Sequence, residues 1–118
     1  MAKQMERALT EIKEHRLDVL PKSDRCRVVK LELESDFDSG VTNLILTLRN
    51  ADTEDACRLR FLEVHLSDSA LLALQDATGL YLMDTQHLGW NKNQRIEVGD
   101  WDGGPPIFWA KTVETLTN

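Results

Sequence analysis

Leu80-Tyr81-Leu82-Met83-Asp84, Gln94-Arg95-Ile96-Glu97-Val98-Gly99-Asp100 and Ile107-Phe108-Trp109-Ala110-Lys111-Thr112-Val113-Glu114 are three short apolar runs separated by two connections. The second connection, Trp101-Asp102-Gly103-Gly104-Pro105-Pro106, is dense in turn formers. Short apolar runs bounded by such residues predict three β-strands in a meander. All three tryptophans, Trp90, Trp101 and Trp109, fall within this stretch.

Upstream, residues 26–34 alternate, with Val29, Leu31 and Leu33 on one side and Lys30, Glu32 and Glu34 on the other. This is the pattern of a strand with one buried and one wet face. Asp36-Phe37-Asp38-Ser39-Gly40 turns the chain into a second strand, 41–49, with Leu44, Leu46 and Leu48 in phase. Ile45 interrupts its polar face, so part of that face is expected to be covered. A polar turn at 50–55 leads to a third strand, 56–65. There Cys57, Leu59 and Phe61 point inward, Arg58 and Arg60 outward. Leu62, Val64 and Leu66 take the opposite phase, which calls for a bulge near Leu62. Ser67-Asp68-Ser69 can cap a short helix over residues 70–78, with Gly79 as its C-terminal glycine. At the other end of the chain, Met5, Ala8, Leu9, Ile12 and Val19 form a helical stripe over residues 2–19, stopped by Pro21.

Short links between consecutive strands imply antiparallel pairing. The expected fold is therefore α+β: an antiparallel β-meander of about six strands, the N-terminal helix packed on one face, and a short helix or turn between strands three and four. A curled sheet or a small sandwich is the alternative.

With 118 residues, 42% apolar and 29% charged, the chain reads as a single domain with room for one core. No run approaches the ~20 apolar residues of a bilayer span, and the N-terminus lacks an apolar signal core; a cytoplasmic protein is expected. Cys26 and Cys57 are expected to be buried free thiols, because a reducing compartment disfavours a disulfide. The net charge of −6 disfavours nucleic acid and anionic membranes as partners. Residues 1–30 hold eight Lys/Arg against five Asp/Glu, and the remainder six against fifteen. This describes either a basic first element on an acidic body or an acidic face presented to a basic protein.

Chemical motifs are scarce. Asp36-Phe37-Asp38-Ser39-Gly40 resembles the start of a calcium loop, but its glycine comes one position early, and Thr47 stands where a bidentate Glu is required. An ordinary hairpin turn accounts for these residues. His15, His65 and His87 have no zinc spacing. Nucleophile-elbow and phosphate-loop patterns are missing, and Pro105-Pro106 supply no N–H groups to cradle an anion after Gly103-Gly104. No catalytic residue, metal or cofactor is expected. One constellation stands out: Asp84, Asp100 and Asp102 at strand ends, with Trp90 and Trp101 in or beside the same connections. The aspartates could simply start turns while the tryptophans cover sheet edges. They could form an acidic, aromatic interface, since Trp anchors interfaces and acidic charge steers a basic partner. Two of the carboxylates could act on a sugar, which requires a cleft.

Leu80-x-Leu82-x-Asp84, Ile96-x-Val98-x-Asp100 and Ile107-Phe108-Trp109-x-Lys111 resemble the C-terminal part of small bacterial β-rich proteins. Some of those are immunity proteins of polymorphic toxin systems. The resemblance covers the last third of the chain and rests on strand-and-turn punctuation. It implies a cytoplasmic, non-enzymatic inhibitor that binds one cognate, basic toxin. The expected function is thus protein binding through Asp84, Trp90, Asp100, Trp101 and Asp102. A carbohydrate-binding or carbohydrate-processing domain and a homodimer built on an exposed sheet edge are the competing readings.

Overall fold

The computed structural model describes residues 26–77, 79–85, 94–101 and 103–116. The alternating run at the start of this region forms β1 (Cys26–Asp36), which pairs antiparallel with β2 (Val41–Asn50) across the Asp36–Gly40 turn. β3 (Ala56–Leu62) pairs with the other side of β2. A helix, α1 (Asp68–Asp76), precedes β4 (Leu80–Asp84) and β5 (Ile96–Asp100). The chain closes with β6 (Phe108–Ala110) and β7 (Thr112–Leu116). The strands form two antiparallel sheets, of order β1-β2-β3-β7 and β4-β5-β6.

This corrects the α+β expectation. Strands take up 58% of the described region and α1 is its single helix of seven or more residues, so the fold is mostly antiparallel β. The helix expected over residues 2–19 lies outside the described residues. The single meander is replaced by two sheets because residues 107–114, which read as one run, change partners at Lys111. Val98 pairs with Phe108 and Ile96 with Ala110 on one side of the break; Leu62 pairs with Thr112 on the other. Between them, the Lys111 N–H donates to the Leu62 carbonyl and the His65 N–H to the Trp109 carbonyl. One bent ribbon therefore belongs to both sheets.

The core is shared. Leu44, Leu46, Leu48, Leu59 and Phe61 from the first sheet meet Leu80, Leu82, Val98 and Phe108 from the second, and each is fully buried. Phe61 and Phe108 meet edge to face, their ring centroids 5.1 Å apart, a favourable aromatic geometry. Leu74 and Ala77 add the covered side of α1 and its end.

Two irregularities set which side chains reach this core. On β1 the register slips by one residue between Val28 and Lys30. Val29 is the extra residue, so it stands half exposed while Val28 and Leu31 pack on the core. Of the expected inward set, Leu31 packs on the core, Val29 does not, and Leu33, near the strand's end, is half exposed. On β3 the expected break near Leu62 is present. Phe61 pairs with Leu44, but the Val64 N–H reaches Thr42, one residue out of that register. Glu63 takes a left-handed φ of 51° and its N–H is capped by Asn43 Oδ1 at 3.0 Å. Val64 and Leu66 then join the core.

The second sheet is buried on both faces: Tyr81, Met83 and Glu97, which alternate with the core residues, are each at most 6% exposed. The unbroken run Leu80-Tyr81-Leu82-Met83 reflects this, since alternation disappears when neither face is wet. Gly99 sits opposite Tyr81, and a Cβ there would strike the tyrosine ring. The Tyr81 hydroxyl donates to Glu97 at 3.1 Å. Burial first, and then the Glu97 carboxylate, push the Tyr81 phenol well above its usual range.

Candidate functional site

Of the three described residues among the five predicted to contact a partner, Asp84 stands apart from Asp100 and Trp101. Asp84 pairs with Ile96 and Asp100 with Leu80, at opposite ends of the β4-β5 ladder. Four residues at about 3.3 Å each separate them by ~13 Å. Asp84 is engaged by Arg95, whose guanidinium lies 3.1 Å from Oδ2. Its acidity is therefore answered within the chain. Thr85, buried beside it, donates its hydroxyl to the Gln94 and Arg95 carbonyls and closes the connection. Trp101 is half buried and packs against Tyr81, ring centroids 5.5 Å apart. Its backbone N–H donates to the Gly79 carbonyl. Trp90 and Asp102 lie outside the described residues.

Asp100 opens onto a groove of about 330 Å³ between α1 and the 103–107 loop. Ala70, Ala73, Gly103 and Gly104 make its walls, with Asp76 also on its rim. The lining is small-residue and shallow. Ser67 and Ser69 line it as well, beside the two carboxylates.

The feature that sequence reasoning missed is at the β1-β2 turn. Phe37 is 96% exposed, the most exposed of the large apolar side chains described. It sits on a firmly built tip. The Gly40 N–H donates to the Asp36 carbonyl at 2.8 Å, and Gly40 takes the positive φ of 73° that closes the turn. Asp36 Oδ1 accepts the Asp38 and Ser39 N–H groups at 2.9 and 3.4 Å, and Ser39 Oγ accepts the Val41 N–H. Those backbone donors, Asp38 first, hold the Asp36 carboxyl below its usual range. The turn that looked like half a calcium loop thus uses its first aspartate to fix its own backbone. A lone aromatic between two aspartates in an otherwise polar turn was the available signal.

Below the tip, the outer face of the first sheet carries a lattice of charges. Arg60 makes a bidentate pair with Glu34, both contacts 2.8 Å, and reaches Glu114 at 3.3 Å. Arg58 lies 3.6 Å from Glu32. The Arg60 hydrogen bonds keep the Glu34 carboxyl below its ordinary value. Ile45, which pairs with Glu32 and Arg60 in the ladder, is 7% exposed among them, as its interruption of the polar pattern suggested. A concavity of about 390 Å³, lined by Glu34, Asp36, Ser39, Asn43 and Arg60, lies at the foot of the hairpin.

Elsewhere, neither cysteine forms a disulfide; Cys26 is buried as expected, while Cys57 is only half buried. β2 lies between their strands, and burial raises the Cys57 thiol above its usual value. Among the described residues no helix is long and apolar enough to cross a membrane, and no three His, Cys, Asp or Glu side chains cluster as a metal site would require. No protein-family model, curated protein or solved structure matches the chain.

Proposed function

We propose that this chain is a non-enzymatic binding domain for a basic protein, of the kind that immunity proteins represent. The observation that carries the proposal is Phe37, held almost fully exposed on a hydrogen-bonded tip between Asp36 and Asp38. An apolar ring on a fixed backbone loses little conformational freedom when a partner buries it, which favours tight binding. Aromatic anchors of this sort dominate binding energies. The two flanking aspartates have no ion pair among the described residues, so their charge is available to steer a basic surface. The contact point therefore moves from the Asp84–Asp102 region to the β1-β2 hairpin. Asp100 and Trp101 remain at the opposite sheet as a secondary surface. The resemblance of the closing strands to immunity-type proteins points to the same class of activity in the bacterial cytoplasm.

The test is comparative capture. Tagged parent, Phe37→Ala and, as a control for another exposed apolar side chain, Leu72→Ala are passed through native lysate at low and high salt. The expected result is a basic protein retained by the parent and by Leu72→Ala, released at high salt, and lost by Phe37→Ala. With the partner purified, Phe37→Ala should weaken binding by at least about tenfold, as loss of an anchor does. Equal retention by all three proteins would remove the hairpin from the interface.

A further inference from the structure

We infer that β1 is a self-association edge, pairing antiparallel with β1 of a second copy about a twofold axis at Leu31. Four observations lead there. Among the described residues β1 ends its sheet, with β2 on one side and no strand on the other. Its two half-exposed apolar side chains, Val29 at 51% and Leu33 at 49%, are the same distance from Leu31 in opposite directions. Lys30 and Glu32, next to Leu31 on either side, have opposite charge. Lys30 is also well exposed, its Nζ 3.6 Å from Glu32 Oε1 of its own strand.

An isologous interface requires that residue i meets j and that j meets i. With the axis at Leu31, Lys30 of each copy falls opposite Glu32 of the other, and Val29 opposite Leu33. Leu31 meets its own counterpart. The two exposed apolar groups are covered, and each Lys30 gains a second carboxylate beside the one it already meets in its own strand, a cross-strand arrangement that stabilises a sheet. Moving the axis by one residue to Glu32 would set Glu32 against Glu32 and leave Val29 without an apolar partner. The Val29 bulge and the Lys30 charge are also devices that stop an edge from adding strands indiscriminately. A single strand edge buries less surface than a permanent dimer needs, so the association is reversible and rises with concentration. Phe37 lies beyond the paired segment.

The experiment is a concentration series of sedimentation equilibrium on the parent, Leu33→Lys, Lys30→Glu, and Lys30→Glu combined with Glu32→Lys. The parent should move from monomer towards dimer mass. Leu33→Lys and Lys30→Glu should each raise the dissociation constant about tenfold, because every substitution acts twice across the axis. The charge-swapped double variant restores both pairs and should recover parental association. Circular dichroism confirms that each variant is folded. A parent that stays monomeric across the series overturns the inference. So does a dimer that ignores Leu33→Lys and Lys30→Glu, which would place self-association on another surface.

Discussion

At the scale of single residues, Gly99 and Tyr81 make the sharpest case. The tyrosine ring occupies the space that any Cβ at position 99 would need, and both residues lie in a sheet covered on each side. Gly99→Ala should lower stability by roughly 1–3 kcal/mol, the usual cost of overpacking, read as a drop in thermal midpoint. Tyr81→Phe removes the hydroxyl that donates to the buried Glu97. It should cost about 1–3 kcal/mol near neutral pH, the range for losing a hydrogen bond to a buried carboxylate. Tyr81 also confers a pH dependence. Its folded pKa is raised, so its contribution is fully present below the unfolded value of about 10 and is lost as pH rises from there. Denaturant midpoints measured through the alkaline range should fall in the parent and fall less in Tyr81→Phe. Residue identity made some of this legible beforehand. The unbroken Leu80–Met83 run signals a strand covered on both faces, and Ile45 among charges signals a covered outer face. The Asp84–Arg95 pair was not legible. Nothing in a sequence says which of many arginines a given aspartate will meet across a connection.

At the scale of elements, strand positions followed from alternation and turn residues, and all but the last were placed to within a few residues. Phase was harder. A single extra residue at Val29 reverses which side chains face the core, and alternation read across a bulge assigns the wrong face. The β3 break was visible because its phase changes inside one apolar run. The Lys111 break was not, because its lysine fits the outward position of an uninterrupted strand. The β1-β2 hairpin carries the element-level prediction. Asp36 and Glu34 both have folded pKa values depressed below their ordinary ones, Asp36 by backbone N–H groups and Glu34 by Arg60. A depressed carboxylate contributes stability above its unfolded pKa of about 4 and loses it as pH falls through the folded value. The parent should therefore lose stability on acidification below pH ~4. Asp36→Asn with Glu34→Gln should show a shallower acid limb by circular dichroism. Equal limbs would mean that these groups do not set the acid response.

At the scale of the whole molecule, the two sheets share one core and one ribbon, so they should unfold together. Phe108→Ala empties the aromatic contact between them, and such a change costs about 3–5 kcal/mol. That is a large part of the 5–15 kcal/mol typical of a domain. Tryptophan fluorescence and far-ultraviolet circular dichroism should follow a single, coincident transition in the parent and in the variant. Separate transitions would show that each sheet stands alone. The ribbon has one more consequence, for synthesis. β3 must wait for β7, whose partner residues lie some fifty positions later, as Phe61 with Val113 and Arg58 with Leu116. β5 waits likewise for β6. On a ribosome, the β1-β2-β3 portion can leave the exit tunnel and pair, but its sheet is not whole until β7 has emerged, nor the second sheet until β6 has. A nascent chain stalled before that point exposes the unpaired edge of β3, and it is there that a chaperone would find its work.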